Sequence, residues 1–239
     1  INSAGPSTTP ALPAIASDAA LYVASESPML GDCVKVLNST IVEQRPPTPF
    51  EFMNISGNMA GFYIAQQIGI DGPQLAIARR HAGLEAALEL LQLPTPTHRH
   101  ALLGCVEEGV WPLAAQRQRV GLPKDAAMFE TSHWFYCDAD CRAPLAELLP
   151  ILRIVDGHEM QAVLAQLPAD TQLAWHPALD AFRQPFAARS LANVELGSQG
   201  VTAEALCRYL ESSSTAPWCH VTRGGDGAFY LLRAQRHGG

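Results

Sequence analysis

The stretch "GPQLAIARRHAGLEAAL", residues 72–88, decides the fold. It predicts a turn, a short apolar strand at 75–78, a tight corner at 79–81 and an Ala-rich helix from residue 82. Many α/β enzymes place a nucleophile at such a corner, because the corner lifts one side chain above the sheet. This corner carries Arg79, Arg80 and His81, with neither Cys nor Ser. The stretch therefore predicts an α/β protein whose nucleophile-type corner has no thiol or hydroxyl nucleophile.

Strands and helices alternate on both sides of this stretch, in two rounds. The patterns predict strands at 19–27, 99–109, 129–140, 171–177 and 217–234 (the last a Gly-turned pair), and helices at 29–44, 53–70, 82–93, 142–152, 158–167 and 200–213. The helix at 53–70 is predicted to bury Met59, Phe62, Tyr63 and Ile64. The Pro-rich segment 45–52 is predicted to be a rigid loop. This alternation predicts a layered α/β architecture.

Composition narrows the class of protein. The chain has 239 residues, a net charge of −7 and a pI near 5.6, which argues against nucleic-acid binding. No apolar run reaches the length of a membrane span, and no signal peptide is visible. Six scattered Cys residues are typical of reduced thiols, so a cytoplasmic protein is expected. Cys137, Cys141 and His133 lack a second close ligand pair, so neither a metal nor a cofactor is predicted.

Four motifs, in order, resemble those of β-ketoacyl synthases. "NMAGFYIAQQIGIDGPQLAIA" and its Ala-rich helix resemble the segment that leads to the catalytic Cys of those enzymes, and His81 falls at that Cys position. "TQLAWHPALD" is similar to the loop with the first catalytic His, here His176. "ELGSQGVTAEALCRYL" is similar to the stretch with the second, where Ser198 stands. "HVTRGGDGAFYLL" resembles the final Gly-rich hairpin of the family.

The resemblance implies a thiolase-like fold with αβαβα layers, made of two related halves and compact relative to full ketosynthases. It implies an N-terminal half at 18–150 and a C-terminal half at 151–239, and the small, Pro-rich and polar composition of residues 1–17 predicts a flexible lead-in. "FEFMNISGNMAG" and the Glu130–Trp134 strand segment are similar to the chain-length factors of bacterial aryl polyene pathways. Those subunits resemble a ketosynthase, pair with an active one and do not condense. His133 is expected to be a core or interface histidine, with Glu130 as a candidate partner.

The chemistry of condensation points to a silent subunit. Claisen condensation needs a thiolate to carry the acyl chain and two His residues to assist decarboxylation and hold the oxyanion. Of that set only His176 remains at a matching position. The rival interpretation is a small acyl-transfer or hydrolytic enzyme that uses His81 or Cys105, although acidic Glu107 and Glu108 next to Cys105 disfavour its thiolate. A third class is a binding module for an acyl or acyl-carrier group.

The resemblance implies partners for such a subunit. Ketosynthase-type dimers pair the strand before the corner with its mate, and that strand is Leu75–Arg79 here, with Ala76, Ile77 and Ala78 between its ends. A strand this apolar at a sheet edge needs a cover. The expected partner is an active ketosynthase subunit in a heterodimer, and the complex would act on chains held by an acyl carrier protein. Arg79 and Arg80 would need acidic partners at an interior corner, which an ion pair across the subunit interface could supply; the alternative is that both are simply exposed.

A second segment is expected to control chain length. In chain-length factors, the segment before the Asn-containing helix forms the floor of the partner's acyl tunnel, and its counterpart here is 49–55. Phe50, Phe52, Met53 and Ile55 are therefore candidate gate residues. Taken as a strand-like run, the segment would place Phe50 and Phe52 on one face and Met53 on the other. The alternative is that these four side chains pack the core of this chain.

Overall fold

Two β-sheets organise the chain. The structure is a computed structural model and describes residues 14–93, 99–109, 111–120, 123–125, 127–128, 130–192 and 200–236. Strands β1 to β4 lie at Ala20–Ser25, Gln74–Ala78, His100–Glu107 and Thr131–Asp138. They form a four-stranded sheet in the order β2-β1-β3-β4. The first three strands run parallel, and β4 is antiparallel to β3.

The second sheet contains the remaining strands. Strands β5 to β9 lie at Glu147–Leu148, Leu152–Ile154, Gln172–Trp175, Trp218–Arg223 and Phe229–Gln235. The order is β5-β9-β8-β7, and β6 also pairs with β9. Strands β8 and β9 are the predicted Gly-turned pair, with Gly227 at φ +82° in the turn between them.

In the part of the chain that the structure describes, eight α-helices connect and cover these strands. Helices α1 to α8 lie at Leu30–Leu37, Pro49–Asn54, Asn58–Ile68, Gly83–Leu91, Leu113–Val120, Gly157–Gln166, Asp180–Arg183 and Val201–Glu211. A π-helical turn, Asn38–Val42, follows α1, and 3-10 turns occur at Pro177–Leu179 and Gln184–Arg189. Among the described residues, no helix is long and apolar enough to cross a membrane.

Three hydrophobic clusters show that the elements form five layers. Leu21 and Leu102 on one face of the first sheet pack with Ala65 of α3. The opposite face packs with α4 and α8, which also contact the second sheet through Trp218 and Leu232. Helix α6 packs on the outer face of the second sheet. The order α3, first sheet, α4 with α8, second sheet, α6 confirms the predicted thiolase-like αβαβα fold.

Two predictions of secondary structure are wrong because of proline. Segment 45–52 is not all loop, because Pro49 begins α2. In the first turn of a helix a backbone N–H has no hydrogen-bond partner within the helix, so proline, which lacks that N–H, is tolerated there. Thr48 caps this helix in a reciprocal capping box with Glu51. Segment 142–152 is not a helix, since Pro150 separates the short strands β5 and β6, which both pair with β9.

The predicted burial of α3 is also partly wrong. Phe62 and Tyr63 are about half exposed, and the side that faces the sheet carries Gly61 and Ala65. Small residues at an i, i+4 spacing let the helix lie close to the sheet, while the large rings point outward. The helix ends where predicted, at Gly69 with φ +73°.

One glycine allows two segments to cross closely. A Cβ atom added to Gly72 would lie 2.1 Å from the backbone oxygen of Ala19. The matched position is Gly61 in the middle of α3, where an added Cβ meets only the Gln74 side-chain oxygen at 3.8 Å. The close crossing of residues 19 and 72 therefore requires glycine at position 72, whereas position 61 has room for an alanine.

We predict opposite effects for the same substitution at these two glycines. Gly72→Ala should lower the free energy of unfolding by about 2 kcal/mol or more, because the backbone must move. Gly61→Ala should be neutral or stabilise by up to about 1 kcal/mol, since alanine is the better helix former. Urea unfolding of both variants measures this, and equal effects would show that the crossing at Gly72 is not tight.

Candidate functional site

The carboxyl ends of β1, β2 and β3 meet at one edge of the first sheet. Because these strands are parallel, the residues that follow them come together there. Ser25 and Glu26 end β1, the Arg79–His81 corner follows β2, and Glu107 ends β3. The predicted corner and two glutamates thus form one site.

The corner holds His81 in an unusual backbone conformation. His81 has φ +63°, a left-handed conformation that non-glycine residues rarely adopt and that the surrounding structure must maintain. The Thr222 hydroxyl donates to the His81 backbone oxygen at 2.9 Å, and the Gly225 N–H donates to that of Arg80 at 3.2 Å. The hairpin of the second sheet therefore maintains the corner of the first.

The His81 ring is enclosed by charged and aromatic neighbours. Its Nδ1 lies 3.1 Å from a carboxylate oxygen of Glu26, and Arg80 Nε donates to its Nε2 at 2.9 Å. The His176 ring packs against it edge to face, with ring centroids 5.3 Å apart. The structure thus brings His81 and His176 together, while Ser198 lies outside the described residues. Because Arg80 occupies Nε2, this nitrogen is not available to attack a substrate.

A small cavity adjoins His81. Its volume is about 20 Å³, room for about one water molecule. The ends of β1 and β3 and the first turns of α4 and α8 line it, with Glu26, Glu85, Cys105 and Glu107 among the lining residues. A cavity of this volume has no room for an acyl chain.

Burial suppresses ionisation of two groups at this cavity. Burial, reinforced by the Glu26 carboxylate, raises the pKa of Glu107 to about 8, although the Glu26 N–H and the Ser25 hydroxyl donate to it. Burial first, and then Glu85 and Glu107, raise the pKa of the Cys105 thiol well above its ordinary value. Cys105 is therefore a buried thiol and a poor nucleophile.

A buried polar contact joins α4 to the C-terminal part of the chain. Glu85 has no exposed surface and accepts a hydrogen bond from the Thr202 hydroxyl at 2.9 Å. Nδ1 of His220, also fully buried, lies 3.8 Å from the same carboxylate oxygen. These partners hold the first turn of α4, and with it the corner, against α8 and β8.

Asp226 braces the corner from the surface. It accepts hydrogen bonds from Arg79 at 3.0 Å, Arg153 at 2.9 Å and the Tyr230 hydroxyl at 2.8 Å. Burial opposes its ionisation, but the hydrogen bonds from Tyr230 and Arg153 outweigh burial and hold the pKa of Asp226 below its usual range. Glu89 lies 3.6 Å from Arg79. The expected acidic partners of Arg79 therefore lie within this chain.

Other candidate residues lie away from the corner. His133 lies 3.5 Å from Glu204 and 3.6 Å from the Cys207 sulfur, and Glu130 instead accepts the Gly109 N–H, so the suggested His133–Glu130 pair is wrong. One group among the described residues brings three potential metal-ligand atoms within 4.8 Å of one another. It consists of His100, Asp138 and Asp140, and Asp140 is bound to Arg99.

The predicted interface strand lies at an open sheet edge. Among the described residues, strand β2 pairs with β1 alone. The bonds from Leu21 N–H to Pro73 and from Arg79 N–H to Ser25 show that odd-numbered residues direct their backbone groups toward β1. The backbone groups of Ala76 and Ala78 therefore face the open edge, and Asn58 accepts the Ala76 N–H at 3.2 Å.

The predicted gate residues are exposed but helical. Phe50, Phe52 and Met53 have relative exposures of 64%, 63% and 47%, so the core-packing alternative is wrong for these three. Ile55, at the C-cap of α2, is partly buried. The strand-like alternation is also wrong, because a helix places residues three apart on one side. Phe50 shares a face with Met53, and Phe52 with Ile55.

These gate residues belong to a larger apolar segment. We call residues 30–54 the apolar arm; Ser39 is its only buried residue. Large apolar side chains of the arm are more than two fifths exposed: Val34, Leu37, Ile41, Val42, Phe50, Phe52 and Met53. Exposed apolar surface of this extent is typical of interaction surfaces.

Sequence reasoning missed the polar groups around His81. Glu26, Glu85, Thr202 and His220 lie in four different elements, so no local spacing connects them. The one available signal was Glu85, a charged residue in the otherwise apolar run from Leu84 to Leu88. Such a residue requires a buried partner.

Comparison with solved structures identifies the fold. The chain is similar to "The ishigamide ketosynthase/chain length factor", with 17% identity and a TM-score of 0.74 over 94% of this chain and 75% of that one. The chain is also similar to "PfaC Keto synthase-Chain length factor", with 11% identity and a TM-score of 0.68 over 94% of this chain and 32% of that one. For the ketosynthase ApeO in complex with its chain length factor ApeC from Xenorhabdus doucetiae, the identity is 11% and the TM-score is 0.54 over 91% of this chain and 69% of that one.

These likenesses define the class of fold. No protein-family model and no curated protein matches the chain. At these identities the likeness concerns the fold, and the chain has the thiolase-like fold of ketosynthases and chain length factors.

We predict that Glu85 and Thr202 are energetically coupled. In a double-mutant cycle of Glu85→Gln and Thr202→Val, the coupling should be about 1–3 kcal/mol, because the hydrogen bond is buried and one partner is a carboxyl group. The exposed pair Glu204 and Arg208, 2.7 Å apart on one helix, is the control and should couple by less than about 0.5 kcal/mol. Urea unfolding measures both cycles. Equal coupling energies for the two pairs would contradict a stabilising buried hydrogen bond between Glu85 and Thr202.

Proposed function

We propose that this chain is a non-catalytic chain-length factor. It pairs with an active β-ketoacyl synthase and helps to set the length of a polyene chain built on an acyl carrier protein, as in aryl polyene pathways. Two observations carry this proposal: the exposed apolar arm, and the open edge of β2, to which Asn58, four residues after the arm, is hydrogen-bonded. Solved structures named as ketosynthase/chain length factor proteins share the fold and support the choice of partner.

The apolar arm supports an obligate partner. Each half-exposed large side chain that a partner buries contributes about 1 kcal/mol. The seven of the arm suit an obligate interface, which typically buries about 2,000 Å² or more, and Phe62, Tyr63 and Leu75 are also exposed on α3 and β2. A stand-alone enzyme or acyl-binding module has no use for this surface.

The site at His81 supports a silent subunit. The position that resembles the catalytic Cys carries an imidazole whose Nε2 is occupied by Arg80. The adjoining cavity has room for about one water molecule, and Cys105 has a raised pKa. The rival enzyme that uses His81 or Cys105 is therefore disfavoured on all three counts.

We predict that His81→Ala leaves condensation by the reconstituted complex within about tenfold of the original rate, or roughly 1.4 kcal/mol in the barrier. The reason is that His81 supports the corner and does not carry the acyl chain. Carrier-bound product is measured by mass spectrometry. A loss of several thousandfold in an assembled complex would contradict the silent role.

We predict that Ala78→Pro blocks assembly with the ketosynthase. Proline removes an N–H that faces the open edge, so the pairing of β2 with β1 is retained while the intersubunit ladder loses a donor. Ala78→Ser keeps the N–H and is the matched control. Size-exclusion chromatography of the co-expressed subunits is the measurement, and normal assembly of the proline variant would rule out pairing through β2.

We predict that alanine at one or more of Phe50, Phe52, Met53 and Ile55 lengthens the product by at least one two-carbon unit. The effect should follow one helical face, either Phe50 with Met53 or Phe52 with Ile55. A shortened side chain leaves space for the chain end, and each buried methylene is favourable by about 0.8 kcal/mol.

The chain lengths of the products made by the reconstituted complex test whether these four residues limit chain length. Val42→Ala is the control, because Val42 is 71% exposed in the apolar arm but lies outside α2. If all four variants assemble and give the original distribution, α2 contacts the partner without forming the floor of its tunnel.

A further inference from the structure

The cavity beside His81 has an excess of negative charge. The carboxyl groups of Glu26, Glu85 and Glu107 line it, and its lining residues among those described include one imidazole, His81, but no Lys or Arg. Glu85 has no exposed surface and Glu107 is 5% exposed. Buried carboxylates require positive partners, since water cannot solvate them.

Glu85 has an unpartnered oxygen. Its Oε1 accepts the Thr202 hydroxyl at 2.9 Å, whereas its Oε2 meets no hydrogen-bond donor among the described residues. An orphaned oxygen on a fully buried carboxyl group calls for an explanation, and an ion or water in the adjoining cavity is the usual one.

The backbone supplies less positive charge at the cavity than the carboxyl groups there require. Helices α4 and α8 both begin there, and each helix N-terminus contributes about half a positive charge. Among the described residues, three carboxyl groups and no Lys or Arg line the cavity, so a bound cation is favoured over a neutral molecule.

The size of the cavity and its donor atoms limit the cation. The volume of about 20 Å³ admits one ion of roughly the size of a water molecule. Carboxylate and hydroxyl oxygens select hard cations. Mg²⁺ and Ca²⁺ need several short bonds, but the ligand atoms here do not converge within 4.8 Å, as they do among the described residues only at His100, Asp138 and Asp140. A larger, loosely held alkali ion fits better.

We propose that this cavity binds one monovalent alkali cation, such as K⁺, with Glu85 as its main ligand and Thr202, Glu26 and Glu107 around it. The ion ties the first turn of α4 to the first turn of α8 and to the ends of β1 and β3. It therefore stabilises the corner, and this role is independent of the proposed chain-length function.

The test compares thermal unfolding of the full chain, alone or in the assembly with which it is purified, in KCl and in choline chloride of equal ionic strength. Saturating K⁺ should raise the unfolding midpoint by about 5 °C. Glu85→Gln should abolish the difference between the two salts. Glu159→Gln is the control, because Glu159 is an exposed glutamate in the first turn of α6 and the substitution removes the same charge.

Each outcome decides the proposal. Equal midpoints in the two salts would overturn it, and the cavity would then hold a water, with a proton on Glu107. A K⁺ effect that survives Glu85→Gln would place the ion elsewhere and would also overturn it. If Glu85→Gln does not fold, crystals grown with Tl⁺ in place of K⁺ decide: anomalous density beside Glu85 supports the site, and its absence excludes it.

Discussion

The brace between the corner and the C-terminal hairpin is the contact on which the rest of the structure depends. His81 lies in a left-handed backbone conformation that the sequence around it does not favour. Thr222 and Gly225 bind the two backbone oxygens of the corner, and Asp226 holds Arg79 beside it. This brace joins the corner between β2 and α4 to the β8–β9 hairpin, and so connects the first sheet to the second.

The same brace explains why a corner of this shape can persist without a nucleophile. The backbone of the corner positions α4 between the sheets, a structural task that does not depend on which side chain projects from it. His81 then serves as a packing and charge partner between Glu26, Arg80 and His176. The small cavity beside it agrees with this role, since a site that holds an acyl chain needs far more room.

The apolar arm has a sequence pattern that the fold of this chain does not explain. Its two α-helices, α1 and α2, contribute no buried residue, so packing within this chain does not account for its apolar side chains. Together with the open edge of β2, they fit the surface of the proposed partner instead. On that proposal, the residues that stabilise this chain and the residues that contact a partner belong to different parts of the molecule.

Local pattern was sufficient for much of this protein. The alternation of strands and helices, the end of α3 at Gly69 and the corner at His81 follow from periodicity and from turn residues, which act over a few positions. The pattern failed at two prolines, because proline can begin a helix as well as interrupt one. Pro49 begins α2, while Pro150 separates the short strands β5 and β6 in a segment with a helix-like pattern. Which helical face is buried, and that Glu85 meets Thr202 and His220, was decided only by tertiary structure. The reason is that a buried polar group is satisfied by whatever the fold brings within about 3 Å of it, and residues more than a hundred positions apart share no local signal.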